Sequence, residues 1–166
     1  MQRRKLLPLA ALPWLAPWPA WALEAPEGPV VLSLNGRVRQ TNRGASAVFD
    51  MAMLERLPQL SYATRTPWYA RPRKFTGPLL RDVLAAAGSH GEQLRAMALN
   101  DYRVEIPVAD AQRHDVLVAR LLDDKPMPVR DKGPLFIIYP FDQNASLRSA
   151  LYYSRCAWQL KAIEVQ

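Results

Sequence analysis

The chain has 166 residues, 49% hydrophobic and 22% charged, with two His and one Cys. That length and apolar content suit one compact domain with its own core, and they argue against intrinsic disorder. A single Cys excludes an internal disulfide framework, an iron–sulfur cluster and a thiolate zinc site.

The formal net charge is +7, but the excess is concentrated at the start. Arg3, Arg4 and Lys5 precede an apolar, Pro-interrupted stretch from Leu6 to Ala22, which ends Ala20-Trp21-Ala22. A basic start, an apolar middle and an A-x-A end predict a signal peptide over residues 1–22, cleaved before Leu23. Pro8, Pro13, Pro17 and Pro19 argue against a spanning anchor, because each removes a helix hydrogen bond. Arg3-Arg4-Lys5-Leu6-Leu7 also resembles the core of a twin-arginine signal. The expected location is therefore the periplasm. Without the three leading cations the balance is 19 basic to 15 acidic residues. No basic run survives beyond Arg71-Pro72-Arg73-Lys74, so a nucleic-acid partner is excluded.

Residues 23–29 read as a flexible leader, and 30–166 as a single domain. Val30–Leu34 predicts a strand, Asn35-Gly36 a hairpin turn, and Arg37–Gln40 its return strand. Asp50 is placed to cap a short helix from Met51 to Leu57, stopped at Pro58. Leu60–Thr64 looks extended, and the prolines of Thr66–Arg73 predict a loop. Pro78 opens a helix whose apolar stripe is Leu79, Leu80, Val83, Leu84 and Ala87, ending at Gly88. Leu94–Leu99 and Tyr102–Ile106 predict two strands around Asn100-Asp101. Val116–Leu122 fits strand or helix, Asp123–Pro126 a turn, Leu135–Tyr139 a buried strand and Trp158–Val165 a last strand. Cys156, among Leu151, Tyr152, Tyr153, Ala157 and Trp158, is expected to be buried. The sum is an α+β domain with a mixed β-sheet, barrel-like core and short helices.

No nucleophile elbow, metalloprotease motif, phosphate loop or dinucleotide fingerprint is present. His90 and His114 fall in polar surface segments. What stands out is a set of aromatic, acidic and basic residues where predicted strands end: Arg65, Trp68 and Tyr69; Asn100, Asp101 and Tyr102; Arg130, Asp131 and Lys132. Each group alone is ordinary turn chemistry. Together they supply an aromatic plane, carboxylates and cations, a combination suited to a flat polar heterocycle.

Three blocks carry a resemblance. Phe75 to Leu84, Ala98 to Pro107 and Met127 to Pro140 are similar to the molybdopterin-binding domain of the sulfite oxidase superfamily. The resemblance spans nearly all of residues 30–165 and implies that fold. Enzymes of the superfamily hold molybdenum through the pterin dithiolene and one Cys thiolate, which here would fall within Ser61–Thr66. No Cys is there, so the resemblance implies a pterin pocket without molybdenum ligation. Small exported stand-alone domains, the pterin-binding proteins of the PruR type, are more similar still through Thr64-Arg65-Thr66-Pro67-Trp68, Asn100-Asp101-Tyr102 and Val129–Pro134. That resemblance implies a sensor without enzymatic activity. It would bind a reduced, monapterin-like pterin and modulate a membrane-bound cyclic-di-GMP enzyme through that enzyme's periplasmic region.

For such a ligand the residues divide by chemistry. The 2-amino group and N3–H of a pterin donate as a pair, which Asp101 first, or Asp131, would accept. Trp68 or Tyr69 would stack on the ring. Arg65, Arg130 or Lys132 would donate to the ring carbonyl or a polyol tail. Two other readings stand beside this one: a molybdenum-cofactor oxidoreductase with non-Cys ligation, and a ligand-free interaction domain.

Overall fold

A computed structural model describes residues 22–166. The predicted signal segment lies outside the described residues except for its last position. No helix among the described residues is long and apolar enough to cross a membrane.

The elements in chain order are β1 (Val30–Gly36), β2 (Ala47–Asp50), α1 (Met51–Arg56), β3 (Gln59–Thr66), β4 (Tyr69–Pro78), α2 (Leu80–Ala86), β5 (Gln93–Ala98), β6 (Arg103–Pro107) and α3 (Val108–Arg113). There follow β7 (Leu117–Ala119), β8 (Leu121–Leu122), β9 (Lys125–Pro126), β10 (Phe136–Ile138), α4 (Ala150–Ser154), β11 (Ala157–Trp158) and β12 (Leu160–Val165). Short helices among many short strands make this an α+β domain, as the sequence predicts. The expected barrel-like core is not formed. The strands make three open sheets, β2-β1-β12-β5-β6, β11-β10-β7 and β3-β4-β8-β9.

In the five-stranded sheet β12 pairs in parallel with β1 and antiparallel with β5. Alternation along β1 and β5 sends Leu32, Leu34, Leu94 and Ala96 into the core, beside Ile163 and Val165 of β12. The return strand of β1 is β2, not Arg37–Gln40. Gly36 has a φ of 82°, and a Cβ there would overlap the Val165 carbonyl oxygen. The Asn-Gly pair thus marks a close approach to β12, where only glycine fits, rather than a two-residue hairpin. Gly77 plays a like part in β4, its missing Cβ admitting the Val118 carbonyl of β7.

The predicted loop Thr66–Arg73 is also corrected. β4 begins at Tyr69, and its Pro72 is tolerated because that end of the strand pairs with β3 alone. The register slips there between Thr64 and Thr66. The Val116–Leu122 stretch resolves as strands β7 and β8. Helices α3 and α4, too short for a clear periodic stripe, were not foreseen.

Two polar clusters hold the ends. Asp50 caps α1 through Oδ1, which accepts from the Met53 N–H at 2.8 Å. Its Oδ2 accepts from the backbone N–H groups of Glu27 and Gly28, each at 2.8 Å. Glu24 adds an ion pair to Arg56 at 3.2 Å, so the leader is tied to α1 by contacts that composition does not reveal. At the other end Asp110 of α3 is buried, and its Oδ2 accepts from both Tyr139 Oη at 2.8 Å and Arg155 Nη1 at 2.7 Å. Arg155 immediately follows α4, so this pair fastens α4 to α3.

Backbone N–H groups, that of Gly28 foremost, hold the Asp50 carboxyl below the usual carboxylate range. Its folded pKa lies under the unfolded value, so its contribution is complete above about pH 4 and fades as pH falls through the folded pKa. Asp50→Asn is expected to lower the Tm at neutral pH, with the gap to the parent closing on acidification, as thermal melts across that range would show. Tyr139→Phe leaves Asp110 one donor short, and urea unfolding is expected to show a loss of about 1–3 kcal/mol.

Candidate functional site

The turn between β3 and β4 carries Trp68, whose indole is half-buried rather than free to swing. Its ring lies 5.4 Å from Trp158 and 6.2 Å from Tyr153, both edge-on, and 5.8 Å from Phe136. Such edge-to-face packing is the favoured aromatic geometry and orders the ring. Three chain segments distant in sequence therefore meet at one indole.

A cleft of about 530 Å³ opens on one side of this junction. Trp68, Tyr102, Tyr153 and Trp158 are its aromatic walls, and Asn100 and Ser154 are its neutral polar groups. Asn100 Oδ1 accepts from the Tyr102 N–H at 3.2 Å, while its Nδ2 has no partner among the described residues. That amide can donate to a ligand carbonyl. A second cleft of about 480 Å³ also borders Trp68 and is cationic, with Arg73, Lys125, Arg130 and Lys132 beside Tyr69 and Asp131. Lys132 Nζ lies 4.4 Å above the Trp158 ring and 5.9 Å from that of Tyr69. Arg73 stands 4.8 Å over the same Tyr69 ring. Burial raises the Tyr69 phenol above its ordinary pKa, with Arg73 opposing it, so the hydroxyl stays a donor at neutral pH.

The nine residues singled out from sequence are thus divided. Trp68, Asn100 and Tyr102 line the first cleft; Trp68, Tyr69, Arg130, Asp131 and Lys132 line the second. Arg65 lies apart in a shallower hollow with Arg148 and Tyr153, where both arginines grip Asp142 at 3.2 and 3.0 Å. Burial pushes the Asp142 carboxyl up, but the Arg65 backbone N–H and the two cations outweigh it and hold it low.

Asp101 lines neither cleft. It occupies the left-handed position of the β5–β6 turn, with a φ of 63°, and its side chain is mostly exposed. Its carboxylate accepts from Lys161 Nζ at 2.7 Å, and that bond holds its pKa low. The turn geometry that Asn-Asp favours accounts for this residue. Tyr153 and Trp158, by contrast, were missed. Their only sequence signal is an aromatic-rich run before the last strand, and only the fold brings that run beside Trp68.

A family model, the oxidoreductase molybdopterin binding domain, matches residues 40–144. The chain belongs to this family. No curated protein matches it. The family match takes in the β3–β4 turn, the Asn100–Tyr102 turn and the Arg130–Lys132 segment, and it ends before α4 and Trp158.

The residues present fit the pterin half of the family's cofactor, since stacking surfaces and amide and cationic donors surround the clefts. The metal half lacks a ligand of the expected kind. Thr64, inside the segment where a Cys would stand, is buried, and its hydroxyl is engaged by the Asp142 N–H at 3.1 Å and the Arg65 carbonyl at 3.4 Å. Cys156 lies on the floor of the first cleft at 3% exposure, and its thiol donates to the Tyr152 carbonyl at 3.6 Å. Burial raises the Cys156 pKa well above that of a free thiol, so the thiolate a metal needs is disfavoured. No cluster of three or more His, Cys, Asp or Glu occurs among the described residues.

Stacking on one aromatic ring is worth roughly 1–3 kcal/mol, so Trp68→Ala is expected to weaken binding of a pterin roughly 5- to 150-fold. Asp101→Ala should leave that affinity within about twofold, because its carboxylate faces Lys161 and solvent. Fluorescence titration of the two variants, with circular dichroism as the fold control, separates these outcomes.

Proposed function

We propose that this chain is an exported pterin-binding protein that works as a non-enzymatic sensor. The observation that carries the reading is the aromatic cleft walled by Trp68, Tyr102, Tyr153 and Trp158, in a molybdopterin-family domain whose one thiol is buried and engaged. A flat heterocycle can lie against the aromatic walls of that cleft, with the Asn100 amide available to its carbonyl edge and Lys132 at the border with the cationic cleft. Binding and orientation are chemistry these residues can do. Among the described residues no carboxylate or imidazole lines this cleft, and its Ser154 hydroxyl is committed to the Leu151 carbonyl at 2.7 Å.

The finer parts of the proposal rest on the resemblance to the PruR-type proteins. On that basis the ligand is a reduced, monapterin-like pterin carried without molybdenum. The partner is the periplasmic region of a membrane-bound cyclic-di-GMP signalling enzyme. The basic, apolar, A-x-A-ended start of the chain supports a cleavable signal peptide and a periplasmic location.

The test is to express the chain with its own start, purify the mature form, denature it and assay the released material for pterin fluorescence and molybdenum together. Pterin without metal is the expected result. Pterin with near-stoichiometric molybdenum would overturn the proposal in favour of an oxidoreductase. Release of neither, followed by failure to bind added tetrahydropterins, would leave an interaction domain that has lost its ligand.

A further inference from the structure

Among the described residues, the large apolar side chains left well exposed are Leu99, Tyr102, Val129 and Leu151, at 45–55%. Single exposed apolar residues scattered over a surface carry no message. These four are not scattered. Tyr102 lines the cleft walled by Trp68 and Trp158, and so does Ala150, the neighbour of Leu151. The Leu99 N–H donates to the Gln159 carbonyl at 2.8 Å, and Gln159 Nε2 donates to the Val129 carbonyl at 2.7 Å, so Gln159 bridges those two positions. Gln159 thus holds the Leu99–Tyr102 turn and Val129 together beside that cleft, and α4, which carries Leu151, forms part of its wall.

The charge around that mouth is one-sided. Its acids are already engaged, Asp101 by Lys161 at 2.7 Å and Asp131 by Arg130 at 3.7 Å. Arg103, next to Tyr102, and Lys132 have no ion-pair partner among the described residues. What remains to be neutralised is therefore positive.

We infer that this rim is a docking surface for a polypeptide segment bearing acidic residues around an aliphatic or aromatic side chain. A second copy of the chain would set cations against cations. A lipid surface is the wrong shape, since the four side chains are each about half covered by their own neighbours and border a cleft rather than form a flat patch. A polypeptide can follow that relief, filling the centre with an apolar anchor and meeting the cations at the edge. The inference does not require the cleft to hold a pterin, because Leu99, Val129 and Leu151 do not line it.

The full mature chain, immobilised at low salt, is panned against a phage-displayed library of random linear peptides. Enriched peptides are expected to share Asp or Glu flanking Leu, Phe or Trp. A synthetic peptide of that consensus should bind Leu99→Asp and Leu151→Asp roughly tenfold or more weakly than the parent, the loss expected of a hot-spot contact. Added salt should weaken its binding to the parent. Both variants should keep the parent's Tm, and pterin affinity measured on the same samples separates failure of this surface from failure of the cleft. Three outcomes would overturn the inference: no enrichment, a consensus without acidic residues, or a peptide that binds both variants as well as the parent. Salt-sensitive sedimentation with phosphatidylglycerol vesicles, unaffected by the peptide, would overturn it in favour of a membrane.

Discussion

The place of the last strand is the constraint on which the rest of the molecule depends. β12 lies between β1 and β5, so the five-stranded sheet is two separate pieces until the C-terminal residues are in position. Its hold on both neighbours runs to the end of the chain, where the Arg37 N–H reaches the Val165 carbonyl at 2.9 Å and the Gln166 N–H reaches the Gln93 carbonyl at 2.8 Å. A parallel pairing between the first and last strands encloses almost the whole domain in one crossover, a long-range contact that is slow to form. The site inherits this dependence. One residue before β12, Gln159 takes a φ of 53° and turns the chain from β11 into β12. That turn leaves Trp158 paired opposite Phe136 of β10 and packed against Trp68.

How much of this was legible in the sequence depended on whether the signal was local. Alternation gave β1, β5 and β6, a proline and an apolar stripe gave α2, and Asp50 announced its own capping role. The failures among the strands share one cause, a distant segment overruling a local preference, whereas α3 and α4 are too short to leave a periodic stripe. Asn35-Gly36 has the chemistry of a tight hairpin, yet Gly36 is required by the backbone of β12. The prolines of Thr66–Arg73 suggest a loop, yet β3 supports a strand there because no second neighbour needs the missing N–H. The candidate site divided in the same way. Trp68, Asn100 and Tyr102 were recognisable as turn residues with binding chemistry, and the fold brings them to one cleft. Asp101 carried the same promise, but its backbone conformation and Lys161 absorb it. Tyr153 and Trp158 were invisible as site residues, since nothing within their own segment says that Trp68 lies opposite.

Membership of the molybdopterin-binding family sharpens the chemistry of what is present. A thiolate ligand and a pterin cradle are separable requirements, one met by a single soft donor and the other by a shaped surface of rings and donors. Here the aromatic and donor side chains that line the two clefts come from turns, from α4 and from β11, across three sheets. The lone thiol, though it underlies the same cleft, is kept from water and from ionisation by the apolar residues around it. A buried thiol of that kind packs as a small hydrophobe. Thr64 follows the same logic, its hydroxyl spent on binding the chain segment at Asp142 to β3.

Trp68 separates the two clefts and walls both. Its edge-on packing against Trp158 and Tyr153 holds the ring in place, so the two clefts share a fixed wall. Loss of that ring therefore removes lining from both clefts at once.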